Sequence, residues 1–293
     1  QDRPDVDVQN FEPALNPNAI FTVEKTGTLG HLKPAGELIF NYSSEPLVVE
    51  RGDETEAIVD EQLAADLLAG IGITEHGQIG IHLPFYIINN GQFAGESIDG
   101  ATVGDLTVSP KYEFLSSEDS PVGLGLRVDV GLPTGDGQAF VGEPGVTAEP
   151  KVLVDSVIGR TTIAGNLGIG FRKNDSLDNV GVSDDFTYKF GLEYAFVEDL
   201  LSIGGELSGQ TPLNNFWAES EESPFEGILG AKIKTDPGVV IMAGGGGGFA
   251  GGIGDPEFRA FLGVSYPSGV TNKDADNDVI LDEDNQCVDE KED

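Results

Sequence analysis

The densest group of possible ligands lies near the C-terminus. Asp274, Asp276 and Asp278 stand at every second position, and Asp282 follows. Carboxylates at positions one, three, five and nine of a loop, with the backbone carbonyl of Ile280 at position seven, suit Ca²⁺, which takes roughly six to eight hard oxygen ligands. Two residues depart from an EF-hand loop. Val279 stands where glycine is wanted, and Asn285 where a bidentate glutamate closes the site. The tail is therefore a candidate calcium site or, more simply, an acidic spacer, with ten acids in residues 273–293. No other cofactor is expected.

Catalytic chemistry finds less support. A Ser/His/acid arrangement needs a base within reach of its nucleophile. His31 precedes the first periodic segment, His76 falls in a tight turn, and His82 faces the inside of a strand pair. No Gly-x-Ser-x-Gly elbow occurs. The glycine run Gly244–Gly248 is not followed by Lys-Ser/Thr, so it is no phosphate loop and instead bends a strand end or enters a loop. The chain is not expected to be an enzyme.

The elements that position the remaining charged residues are strands. From Phe186 to Phe196 every second residue is large and apolar, which places Phe186, Tyr188, Phe190, Leu192, Tyr194 and Phe196 on one face. The same alternation predicts strands at Gly36–Tyr42, Leu63–Ile73, Ile79–Ile87, Leu106–Phe114, Val122–Leu132, Val146–Ser156, Ile163–Phe171, Leu201–Leu207, Phe225–Ile233, Val239–Gly247 and Phe258–Tyr266. Connections alternate between tight turns, such as Glu75-His76-Gly77, and long acidic segments, such as Glu45–Asp60 and Gly209–Ser223. Short turns on one side and long loops on the other are how outer-membrane barrels are built. Aromatic residues sort to both strand ends, as interfacial belts require: Tyr42, Phe85 and Phe258 at one, Phe114, Phe196 and Tyr266 at the other. The fold expected is all-β, a 12-stranded antiparallel transmembrane β-barrel with a short acidic C-terminal tail. Its divisions are an irregular N-terminal segment (1–28), the barrel (29–267) and the tail (268–293).

Composition fits this reading. No run of 18 apolar residues exists and mean hydropathy is −0.12, which excludes a transmembrane helix but not a barrel. A single cysteine, Cys287, excludes an internal disulfide framework. A net charge of −35 argues against nucleic acid as a partner, because phosphate binding needs Lys and Arg. The start at Gln1 reads as a mature chain whose signal peptide has been removed. The expected location is the bacterial outer membrane, in contact with its lipid and lipopolysaccharide, and an even strand number puts both termini in the periplasm.

The inward half of the alternation is nearly neutral in a very acidic chain. Glu37, Asp66, Glu113, Asp129, Glu149, Asp155, Glu193, Glu206 and Glu226 face Lys111, Arg127, Lys151, Arg172, Lys189, Lys232, Lys234 and Arg259. Lys111 and Glu113 are expected beside Arg127 and Asp129 on the next strand. Charges so arranged either pair and close the lumen or line a narrow path for small solutes or ions. Balanced signs favour closure, because a selective pore would show one sign.

Two resemblances add to this. The tail resembles a thrombospondin type-3 repeat at Asp274, Asp276, Asp278, Asp282 and Cys287, departing from it at Val279, Asn285 and Val288. The barrel resembles that of OmpA-family proteins of the myxobacterial type, at Phe11-Glu12-Pro13-Ala14, Gly30-His31-Leu32, Glu45-Pro46-Leu47-Val48-Val49, Gly104-Asp105-Leu106, Ser109-Pro110-Lys111 and Leu132-Pro133-Thr134-Gly135. The OmpA resemblance implies a structural anchor between the outer membrane and the cell wall, with peptidoglycan or a periplasmic protein as partner through a C-terminal extension. A narrow passive channel is the alternative.

Overall fold

A computed structural model describes residues 6–267 apart from 52–53, 178–179 and 236–237. Twelve long strands run through them: β1 Pro34–Arg51, β2 Glu54–Thr74, β3 Gly77–Phe93, β4 Leu106–Leu115, β5 Gly123–Leu132, β6 Thr147–Ile158, β7 Thr161–Gly170, β8 Asp185–Val197, β9 Leu201–Pro212, β10 Phe225–Lys234, β11 Val240–Gly248 and β12 Phe258–Pro267. Each pairs antiparallel with its neighbours in sequence, and β12 pairs with β1, so the sheet closes on itself with no free edge. In the closing seam Phe40 lies opposite Leu262, and both face outward.

Closure follows from the alternation. Outward residues such as Leu229, Ile81 and Phe190 stay exposed (71%, 47% and 50%) all round the ring, a continuous apolar surface that only lipid tails would cover. No helix of the described residues is long and apolar enough to cross a membrane; the crossing is made by strands.

Strands β1, β2 and β3 hold 18, 21 and 17 residues, against 9 to 13 in the others. About 9–11 tilted residues span the hydrocarbon, so these three stand well beyond it at the long-loop end. The described parts of the stretch Glu45–Asp60, expected as a loop, pair as the upper ends of β1 and β2. Their alternation is broken by bulges around Ser44, Leu47 and Val48, and Glu45 has a positive φ of 47°. Leu47, Ile58 and Val59 there turn inward onto Val6, Val8, Phe93, Ile98 and Phe140, a hydrophobic cluster at the mouth.

β1 starts and β12 ends at the short-turn end. The chain ends themselves, expected on one side, lie outside the described residues, but the N-terminal segment does not stay at the short-turn end. It runs the length of the lumen from β1, so Val6 lies in the mouth cluster at the opposite end.

Candidate functional site

A twelve-stranded barrel is wider than one that wall side chains alone can fill and narrower than an open porin. Here residues 6–33 fill the difference. Phe11, Ile20, Phe21 and Val23 pack at mid-lumen against Ile39, Ala164, Ile228, Met242 and Phe261 from the wall. The wall makes room with inward glycines. A Cβ at Gly80 would overlap Leu15, and one at Gly191 or Gly204 would press on Ile20 at 2.7 and 2.9 Å.

Polar groups of the wall then hold the segment's backbone. Glu206 on β9 accepts from the N–H groups of Phe21 (2.7 Å), Thr22 (3.0 Å) and Val23 (3.0 Å), and from the Thr22 hydroxyl (2.8 Å). Asn166 on β7 accepts from the Glu24 N–H at 2.9 Å and donates to the Glu24 carbonyl at 2.8 Å. Asp155 on β6 accepts from the Thr26 N–H at 2.8 Å, and Gln78 on β3 from Leu29 at 3.0 Å. Hydrogen bonds to a charged partner contribute about 1.5–3 kcal/mol each, so Glu206 alone is a firm latch. An irregular backbone at membrane depth is tolerated only where protein groups or a water-filled cavity receive it.

The charges at mid-lumen meet on this plug rather than only on one another. Lys111 and Arg127 face each other across the β4–β5 pair, and both reach the plug carboxylate of Glu24, at 2.9 and 2.7 Å. Lys111 also donates to the Gly27 carbonyl at 2.7 Å. Glu113 lies opposite Gly125, so the expected pairing with the charges of β5 is replaced by a contact with His76 at 3.4 Å. Lys151 sits among three carboxylates, Glu149 (2.8 Å), Asp129 (3.0 Å) and the plug's Glu12 (3.0 Å), and Lys189 reaches Glu12 at 3.3 Å. Wall pairs do form elsewhere. Arg127 bonds Asp129 at 2.6 Å, Lys232 bonds Glu193 at 2.9 Å, Arg172 bonds Asp185 at 2.9 Å, and Arg259 bonds Glu226 at 2.5 Å. Glu37 and Asp66 are buried on β1 and β2, where His82 contacts Asp66 at 2.9 Å. Lys234, expected inside, is half exposed at the short-turn end.

The inward register was legible, but Glu12 and Glu24 were not recognised as lumen residues. One signal was available: Lys111 and Arg127 lie opposite each other in register, two cations side by side on the inward face. The three histidines lie apart, at the Ile73 carbonyl, Glu113 and Asp66. The candidate calcium ligands Asp274, Asp276, Asp278, Ile280 and Asp282 fall outside the described residues.

The plug leaves space at both ends. A cavity of about 170 Å³ opens at the long-loop end and one of about 610 Å³ at the short-turn end. Five acids and five bases line the second among the described residues, whereas the first is strongly acidic. Asp7 lines this acidic cavity, and its carboxyl group accepts from the Gln9 N–H at 2.8 Å. Burial, helped by Glu143 and Asp105, pushes its pKa from 3.8 to about 8, with the Gln9 N–H and Arg172 opposing. A folded chain keeps this proton where an unfolded one has lost it, so stability carried by Asp7 falls as pH rises from about 4 to about 8. Asp7→Asn cannot ionise. Its thermal melting in detergent should match the wild type near pH 4 and lie above it beyond pH 8; equal melting at both would contradict a neutral Asp7.

A closed ring, apolar outside and charged inside, defines an outer-membrane β-barrel. Residues 49–252 match the family described as "Putative MetA-pathway of phenol degradation", which is more than half of the sequence, and the chain belongs to that family. The fold is similar to the COG4313 outer membrane channel from Pseudomonas putida F1, with a TM-score of 0.58 and 13% identity over 82% of this chain and 97% of that one. It is also similar to the NanC porin, at 0.54 and 9% over 80% and 98%. The KdgM porin in complex with disordered oligogalacturonate gives 0.50 and 11% over 78% and 98%. No curated protein matches. The shared outer-membrane barrel stands, while the comparisons lend no support to the OmpA family or a type-3 repeat.

Proposed function

We propose that this protein is a narrow passive channel for small solutes or ions, throttled by its own N-terminal segment. The observation that carries this reading is the make-up of the lumen. Its filling is a separate, irregular segment seated between two polar cavities, held to the wall by hydrogen bonds and ion pairs. A barrel serving only as an anchor has no need of polar cavities at both ends.

Family membership and the likeness to proteins named as channels and porins support the channel over the anchor, which drew on the OmpA resemblance and the acidic tail. In this reading the long loops face outward, the short turns face the periplasm, and residue 6 lies near the outer mouth. Oligogalacturonate, named with the KdgM porin, is a polyanion, and the acidic mouth of this chain is unsuited to it.

Purified protein in a planar bilayer should give small, reproducible single-channel steps. Membranes that stay silent at protein densities where a control porin conducts would contradict the channel and return the anchor to first place.

A further inference from the structure

The cavity at the long-loop end carries more acid than the protein itself neutralises. Eight carboxylates and three arginine or lysine side chains line it among the described residues. Lys151 and Arg259 contribute from just behind, through Glu149 and Glu226. Among the described residues, four groups on the lining have no cationic partner; one, Asp105, spends both oxygens on the N–H groups of Gly135 and Glu143, at 2.7 and 2.9 Å. Asp7 takes only the Gln9 N–H. Asp255 uses one oxygen for the N–H groups of Phe225, Ala250 and Gly252, at 3.0, 3.2 and 3.4 Å, and its Oδ1 has no partner. The Tyr86 hydroxyl, on a side chain only 1% exposed, has none either. Buried polar atoms are normally satisfied. Two donors on this lining, Gln9 Nε2 and Arg172 Nε, are unmet as well, so it is the excess of carboxylates over cations, together with the open Asp255 Oδ1 and Tyr86 hydroxyl, that points to a cationic donor entering the cavity.

The kind of donor can be read from the protein's own cations. Where three carboxylates converge, with oxygens within 4.8 Å of one another, the group seated among them is the ammonium of Lys151. Where an aromatic ring faces the same cavity, the Arg259 guanidinium lies 5.2 Å from the centroid of Phe11. The remaining acceptors are spread round the wall and offer single oxygens. That arrangement suits N–H donors taken one at a time, and not a hard metal ion, which wants about six oxygens at one point. The apolar part of the lining, Phe11 and Pro84 among it, suits a methylene chain. The overall charge of −35 draws cations toward the mouth.

We propose that this cavity binds a small organic ammonium ion, with Asp7, Asp255 and the Tyr86 hydroxyl as acceptors and Phe11 beside its carbon chain. The inference rests on the channel reading only in making the bound ion a permeant. Binding itself needs no conduction.

Spermidine titrated calorimetrically into the full-length protein in detergent, at low ionic strength and pH 8, provides the test. Saturable binding is expected, weakened about tenfold or more in Asp7→Asn and in Asp255→Asn, since a hydrogen bond to a charged group contributes about 1.5–3 kcal/mol. Tyr86→Phe removes one hydroxyl without altering the loops, and should weaken binding several-fold even if Asp255→Asn disturbs its backbone contacts. Azelate, a dianion with a methylene chain of comparable length, should give no heat. Absence of saturable spermidine binding, equal affinity across wild type and variants, or equal binding of azelate would each overturn the proposal. Conductance of the same samples separates the two ideas: binding without current removes the channel and keeps the site, and current without binding does the reverse.

Discussion

Replacing Glu24 with leucine should destabilise the protein by about 3–5 kcal/mol, the cost of removing one partner from a buried ion pair and stranding the other. Two cations are stranded here. Lys111 is 3% exposed and Arg127 7%, so neither can turn to water without dragging its strand. Arg127 keeps Asp129, at 2.6 Å, but Lys111 keeps only the Gly27 carbonyl. Leucine also forfeits the acceptor that the Leu15 N–H uses at 2.7 Å, which ties the two arms of the plug together. The barrel wall, with its closed ladder, should survive. The loss should therefore appear first as release of the plug, read as protease access to residues 6–33 in folded, heat-modifiable protein. Lys111→Met combined with Glu24→Leu should recover part of it, because the pair is then removed together. Unchanged protease resistance in the single variant would mean that packing of Phe11, Ile20 and Phe21 holds the plug by itself.

The wall was legible because each strand must show lipid one face and the lumen the other, and that period of two survives any choice of side chains. Positions such as Lys189 and Glu193 could be turned inward on that ground alone. The tops of β1 to β3 were not legible: beyond the bilayer the alternation lapses, and what looks like an acidic loop pairs as a hairpin over Val6 and Val8. The plug was harder still. Nothing periodic marks residues 6–33, since their conformation is set by the groups that receive them: Glu206 for three successive N–H groups, Gly80 for Leu15, Gly191 and Gly204 for Ile20. The balance of inward charge was read as a sign of closure by pairing between neighbouring strands, whereas several of these charges meet on the N-terminal segment. The adjacent cations Lys111 and Arg127 and the inward glycines on β3, β8 and β9 together amount to the imprint of a missing piece.

Deletion of residues 1–28 should have the largest effect on transport. It removes Glu12, Glu24 and the apolar cluster around Phe21, and joins the cavities of about 170 and 610 Å³ into one passage. Every strand from Pro34 onward is left whole, so the ring can still close. Lys111, Arg127, Lys151 and Lys189 would then face water in the lumen, where exposed charge costs little.

Single-channel conductance in planar bilayers, wild type against this deletion, tests the central claim most directly. Small steps from the intact protein and steps several-fold larger from the deletion variant are the predicted result. Equal conductance from the two, with the variant shown to be folded, would contradict a channel throttled by its N-terminal segment.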